Sequence, residues 1–413
     1  MPKSEVVVIH MQQNTDKTPI SFFIGDDSFF TRCKNTHSKP SFDTEVICFL
    51  NEVSKKLLNN SLAKNHPDVI SFAFWIRKSS LMKYAKKYTL NDGAIRMGKG
   101  VAFHIAPSNV AVNYAYSLVS GLLAGNINIV KMPSKDFIQI NIINNAIIEA
   151  LKEYKNIENY VCLIRYGHDK TINDMLSSLA DVRIVWGGDN TIKTIRESPL
   201  NPRSTEILFA NRFSIAVIDS NTYLSTKNKE AIASNFYNDT FLTDQNACSS
   251  PKIIIWLGTS ISDAKKVFWD SVHEIVNKKY NFQQKQSIDK YLQSCIVATK
   301  LDDVAVVPTE DNLIIRIQLK KIGPEIIECI GNSGFFLEYD AQKIEEIEKI
   351  CDDSRCQTIT YIGDSNMFDK ISRVGMKGVD RIVPFGKSMD FDLIWDGYDL
   401  ITNLSRIIVI RSI

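Results

Sequence analysis

At 413 residues, 44% hydrophobic and 23% charged, the chain has the length of two or three domains and the composition of an ordinary globular protein. Its 49 basic and 47 acidic residues leave a formal net charge of +2, which excludes the strongly basic surface that nucleic-acid partners demand. No apolar stretch approaches the ~20 residues a transmembrane helix needs, and Met1-Pro2-Lys3-Ser4-Glu5 lacks signal-peptide architecture, so the expected location is cytoplasmic.

Residues 1–40 read as an N-terminal segment of irregular structure and short strands. From 43 to about 88, apolar residues at helical spacing (Val46, Phe49, Leu50, Val53, Leu57, then Phe72, Trp75 and Leu81) predict two helices. Gly98 and Gly100 end that pattern. An alternation follows: strands at 101–106, 127–131, 160–165 and 182–186, with helices at 110–124, 137–154 and 171–179 between them. Strands alternating with helices imply an α/β fold, a parallel sheet covered on both faces. Residues 41–224 are expected to form this dinucleotide-binding domain. A second α/β domain, 225–385, runs from a helix at 227–237 through a cysteine loop to a strand at 252–257 and a helix at 262–278. The stretch from there to about 324 reads as less regular. A tail, 386–413, ends in the β-branched run 404–410, a terminal strand.

The cysteine loop, Asp244-Gln245-Asn246-Ala247-Cys248-Ser249-Ser250-Pro251, carries the densest chemistry. Small polar neighbours give a thiol access and hydrogen-bond donors, and the apolar run Ile253-Ile254-Ile255-Trp256-Leu257 fixes the backbone behind it. A buried structural cysteine at a strand end is the other reading. The eight cysteines (Cys33, Cys48, Cys162, Cys248, Cys295, Cys329, Cys351, Cys356) show neither Cys-x-x-Cys nor zinc-ligand spacing, so free thiols and no metal are expected. Cys48 and Cys162 lie in apolar segments; Cys351 and Cys356 flank Asp352-Asp353, whose charge disfavours a thiolate. Upstream, the turn after the first strand of the alternation contains Asn109, and no Gly-x-Gly-x-x-Gly occurs anywhere. Lys131-Met132-Pro133-Ser134 closes the next strand, and Trp186-Gly187-Gly188-Asp189 leads from a later strand into a helix. Taken singly, Lys131 is a surface charge or a crevice cation, and the glycine pair a turn or a phosphate-approaching backbone. His104, in an apolar strand, reads as a hydrogen-bonded structural histidine; His168 and His273 fall on expected helices.

The order of these segments resembles the aldehyde dehydrogenase superfamily. Within it, the Ala-Cys-Ser-Ser-Pro loop, the segment Ser120-Gly121-Leu122-Leu123-Ala124-Gly125-Asn126 and the tail Gly378-Val379-Asp380-Arg381-Ile382-Val383-Pro384-Phe385-Gly386 look like the LuxC-type fatty acyl-CoA reductases, from about residue 95 onward. The resemblance implies a doubly wound cofactor domain, a catalytic domain and a C-terminal strand that pairs across a subunit boundary in a homo-oligomer. It makes Cys248 the nucleophile and Asn109 an oxyanion donor beside the Cys248 N–H. Lys131 and Ser134 would meet the adenosine ribose or the extra phosphate of NADPH, and Trp186, Gly187 and Gly188 would form the turn over the pyrophosphate. The implied substrate is an acyl-CoA or acyl-carrier thioester, with an acyl-protein synthetase as a partner. Acid-releasing members carry a water-activating glutamate where this chain reads Phe209-Ala210-Asn211-Arg212-Phe213-Ser214-Ile215, which has no carboxylate; Glu206 lies three residues earlier. Two alternatives stay open: a dehydrogenase that releases acid, and an acyl-carrying subunit of a larger complex.

Overall fold

The computed structural model describes residues 20–90 and 93–410. They form two compact units, one running to Ala210 and resuming at Phe391, the other Asn211–Asp390. The sequence-based boundaries at 225 and 386 thus differ from the observed ones. Of the expected N-terminal segment, residues 1–19 lie outside the described residues.

The first unit is built on a six-stranded sheet. Its strands are β1 (Ser21–Ile24), β3 (Val101–Ile105), β4 (Ile127–Lys131), β5 (Val161–Arg165), β6 (Val182–Trp186) and β7 (Thr205–Phe209), while β2 (Ile95–Gly98) lies outside it. The order is β1-β5-β4-β3-β6-β7, parallel throughout except for β1. The chain enters at β3, winds outward through β4 and β5, then restarts beside β3 with β6 and β7. This doubly wound path puts a topological switch point between β3 and β6, where a ligand crevice forms at the carboxyl ends of the strands. The central strands are buried on both faces and are therefore mostly apolar, with His104, Asn128 and Arg183 as buried polar residues among them. Helices Thr44–Asn59, Asn113–Ala124 and Ile138–Leu151 pack on one face, and Lys170–Leu179 and Asp189–Arg196 on the other.

Three helices, Thr44–Asn59, Pro67–Trp75 and Lys78–Lys87, occupy the region read as two. Asp43 caps the first, its Oδ1 accepting from Glu45 N and Val46 N, and Pro67 starts the second at a position where no N–H is needed. Glycine is required at 121: a Cβ there would sit 1.9 Å from Asn128 Oδ1, so the helix could not lie this close to β4.

In the second unit, seven strands run β8 (Phe213–Asp219), β9 (Pro251–Leu257), β10 (Val304–Val307), β11 (Ile315–Leu319), β12 (Phe335–Asp340), β13 (Cys356–Ile362) and β14 (Arg381–Pro384). Their order is β10-β11-β12-β9-β8-β13-β14, and β10 alone is antiparallel to its neighbour. The boundary falls before β8 because β8 pairs with β9 and β13 in this sheet. The stretch expected to be less regular holds helix Gln284–Lys300, β10 and β11.

After Asp390 the chain rejoins the first unit with β15 (Ile394–Trp395), β16 (Tyr398–Asp399) and β17 (Ser405–Ile408). The expected terminal strand is present as β17, and it pairs antiparallel with β2 of its own chain, Ser405 opposite Gly98 and Ile408 opposite Ile95. Among the described residues, no helix is long and apolar enough to cross a membrane.

Candidate active site

Cys248 lies in the turn that leads into β9 at the amino edge of the second sheet, and its side chain is half-buried. Three side chains lock the backbone around it. Ser214 Oγ, at the start of β8, donates to the Cys248 carbonyl at 2.7 Å and accepts from Thr358 N. Gln245 is fully buried: its Nε2 donates to Pro251 O at 3.0 Å, and its Oε1 accepts from Gly334 N at 2.7 Å and Phe335 N at 3.2 Å. Lys252 reaches back along the loop, donating to Gln245 O at 2.5 Å, Gly331 O at 3.2 Å and Asn332 Oδ1. Asp244 and Gln245 both adopt positive φ (53° and 52°), a conformation uncommon for residues other than glycine and held here by these contacts. Ser249 Oγ lies 3.4 Å from Met389 Sδ, while Asp239 accepts from Gly386 N and Ser388 N. Burial raises the Asp239 carboxyl to about 6.

The other thiols are poorer candidates. Cys33, Cys162, Cys329, Cys351 and Cys356 are buried, Cys48 is half-buried and Cys295 is exposed. Burial raises the thiols of Cys33, Cys162 and Cys329. Cys351 is held neutral first by its hydrogen bond with Cys356, sulfur to sulfur 3.8 Å, and then by burial; the flanking aspartates are not the cause. Among the described residues, no group of three His, Cys, Asp or Glu could hold a metal ion.

In the first unit, the sheet topology brings the remaining sequence-derived residues to one edge. Asn109 lies in the exposed loop after β3, Lys131 at the end of β4, and Gly187-Gly188 directly after β6. Gly188 is the N-cap of helix Asp189–Arg196 and offers no side chain to its first-turn N–H groups. The Lys131 ammonium lies 4.1 Å from the Tyr166 ring centroid and 3.5 Å from Gly167 O, and burial lowers its pKa to about 8. Among the described residues it has no carboxylate partner. Ser134 is exposed on the following loop. Trp186, expected with the two glycines in the turn, is itself 6% exposed; its ring stacks on Phe209 with centroids 3.5 Å apart and its indole N–H donates to Ser117 Oγ at 3.0 Å. Only its backbone reaches the sheet edge.

His104 is structural, as the sequence indicates. Its ring nitrogens contact Ser117 Oγ at 2.7 Å and Asn128 Oδ1 at 3.0 Å, and complete burial lowers its pKa to about 4. His273 lies on helix Ile261–Lys279, paired with Asp311, whereas His168 falls in the loop after β5 and not on a helix. Glu206 is engaged by Arg183 at 2.6 Å and Arg196 at 2.8 Å. A carboxylate held by two guanidinium groups is a poor base for water. Gln245, Lys252 and Ser214 escaped sequence reading. Nothing in their local pattern marks them, although a lysine heading a buried apolar strand was a usable signal.

The chain is similar in fold to solved aldehyde dehydrogenases. It is similar to an NAD-dependent benzaldehyde dehydrogenase from Corynebacterium glutamicum (TM-score 0.61, 13% identity, 92% of this chain and 88% of that one). It is likewise similar to a betaine aldehyde dehydrogenase from Staphylococcus aureus (TM-score 0.64, 12% identity, 92% and 86%). In sequence it is 28% identical over 211 residues to long-chain acyl-protein thioester reductase 2 of Photobacterium leiognathi, covering 48% of this chain and 42% of that protein. To the long-chain acyl-protein thioester reductase of Photorhabdus luminescens it is 22% identical over 300 residues, covering 71% and 59%. The chain thus spans about half the length of the curated relatives it matches. The acyl-CoA reductase (LuxC) pattern matches residues 44–409, and the chain belongs to that family.

Proposed function

We propose that this chain reduces a fatty acyl thioester to the aldehyde, using NADPH and an acyl-enzyme on Cys248. The observation that carries the reading is the half-buried thiol in a backbone-locked loop with a buried ammonium four residues on. The thiolate attacks the thioester carbonyl, expelling the thiol of CoA or of an acyl carrier. Asn109 and the Cys248 N–H act as oxyanion donors. When bound, the nicotinamide supplies the hydride that reduces the Cys248 thioester. The Cys248 sulfur then leaves as thiolate and the aldehyde is released. With no carboxylate in 209–215 and Glu206 engaged by arginines, water is not activated and acid is not the product.

Residues at the carboxyl edge of the first sheet fit a nicotinamide dinucleotide. The switch point, the open first turn of helix Asp189–Arg196 and the Lys131 ammonium suit a pyrophosphate and a 2′-phosphate. An acyl-protein synthetase would be the natural partner where the donor is a protein-bound acyl group. Incubation with acyl-CoA alone should leave one adduct, on the Cys248 peptide, and NADPH should discharge it as aldehyde. Cys248→Ala should abolish both, Asn109→Ala should slow turnover roughly 10²–10³-fold, and Lys131→Ala should weaken NADPH more than NADH. An adduct on Cys48 or Cys295, or acid as the product, refutes the reading.

A further inference from the structure

Lys252, the second residue of β9, is buried, and each oxygen it touches is neutral: Gln245 O, Gly331 O and Asn332 Oδ1. Among the described residues no carboxylate lies within ion-pair distance of it. Asp244 acts on it only from further away, and the Asp244 carboxylate is engaged by the Tyr280 hydroxyl and by Gln286 Nε2 at 3.0 Å. The Cys248 sulfur acts on the Lys252 charge more strongly than Asp244 does. An ammonium held by neutral oxygens away from water is costly, and an anion beside it recovers part of that cost.

We infer that Lys252 is a positioning residue whose fixed ammonium holds the Cys248 sulfur as a thiolate. The inference rests on Cys248 being the acyl-bearing thiol. The coupling is reciprocal: a thiolate that favours the Lys252 proton is favoured by that proton to the same extent. Burial, only partly offset by the Cys248 sulfur and the Asp244 carboxylate, pulls Lys252 down to about 8. Above that pH the ammonium, and with it the support for the thiolate, is lost. The titratable groups facing the pair are Asp244 at the head of the loop and Tyr280 at the end of helix Ile261–Lys279. Lys290 of helix Gln284–Lys300 also senses Asp244, and the Gly331-Asn332 turn brings only neutral oxygens. The arrangement makes the nucleophile ready before substrate arrives, without a histidine base.

The test is iodoacetamide alkylation of the full chain without acyl donor or cofactor, read peptide by peptide from pH 6 to 10, with the exposed Cys295 as internal reference. Lys252→Met should slow Cys248 alkylation at pH 7 roughly tenfold, a rise of about one unit in the thiol pKa, and leave Cys295 unchanged. Lys252→Arg, which keeps its proton at every pH tested, should retain fast alkylation. Asn332→Asp sets a competing carboxylate against the ammonium at an exposed position and should slow Cys248 several-fold, which keeps the test intact if Lys252→Met does not fold. Unchanged Cys248 rates at pH 7 in Asn332→Asp, or in a folded Lys252→Met, overturn the role of Lys252. The acyl-enzyme reading fails separately, if fast alkylation persists but no acyl adduct forms.

Discussion

The Gln245 clamp offers the sharpest test of how the cysteine loop is held. Gln245→Met keeps the volume and removes the amide. Two sound hydrogen bonds disappear, to Pro251 O and from Gly334 N. Phe335 N keeps Asn332 O at 3.2 Å, so its loss is partial. At roughly 1 kcal/mol net per bond, with about 1–3 kcal/mol more for stranding the buried Gly334 N–H, the expected cost is about 3–5 kcal/mol. For a unit of ~180 residues, at about 2–4 °C per kcal/mol, the midpoint should fall by roughly 6–20 °C. Tryptophan fluorescence during heating reads this directly, since Trp256 and Trp269 lie in the second unit. Gln245→Glu adds a sign test. Ionised, its carboxylate faces the Pro251 carbonyl; protonated, it can donate to it. That variant should therefore recover stability relative to wild type between pH 7 and pH 4.5. A midpoint within 2 °C of wild type for Gln245→Met, or no pH recovery for Gln245→Glu, would refute the clamp.

His104 makes a prediction about acid stability. Its folded pKa of about 4 lies below the ordinary 6.5, so as pH falls the unfolded chain takes the proton first, and stability present above pH 6.5 is lost between 6.5 and 4. Between pH 7.5 and 5 this amounts to about 2 kcal/mol, and urea titrations should show His104→Gln losing that much less than wild type. Assembly is the second expectation: with Ile407, Val409 and Ile410 48–63% exposed on and just beyond β17, a homo-oligomer is expected at micromolar concentration. Light scattering should show Ile407→Lys shifting it toward monomer, and a monomeric wild type would remove this expectation.

What the sequence made legible was what burial on both faces imposes. The segments 127–131 and 182–186 are mostly apolar, broken only by Asn128, Lys131 and Arg183, and they match β4 and β6 end to end. Helix Gln284–Lys300 escaped notice because it buries only Lys290 and Val297, while Ile288, Tyr291 and Leu292 point outward. Apolar periodicity reports a core only when that face is the buried one. The boundary moved from 225 to 211 because an apolar run such as β8 fits either sheet, and only its pairing decides. Of the candidate site, Cys248 could be singled out from its neighbours. Gln245 could not, since its partner at Gly334 is some ninety residues away, and Lys252 was marked only by heading a buried apolar strand, its partners at Gly331 and Asn332 lying some eighty residues away.

The first unit is interrupted, and that has a consequence for synthesis. Leu393, Leu400, Ile401 and Leu404 are core residues packed with helices completed before residue 152, and Asn126 Nδ2 donates to the Leu404 carbonyl at 2.9 Å. Between the two parts the ribosome must deliver the ~180-residue stretch 211–390, roughly 10–40 s of translation at about 5–20 residues per second. During that interval the emerging first unit carries an apolar groove it cannot close, while the second unit has all its strands in one continuous stretch and can fold to completion. Chaperone engagement, and sensitivity to ribosome stalling, should therefore concentrate on the half made first, and a nascent chain halted before Leu404 should expose more apolar surface than its length suggests.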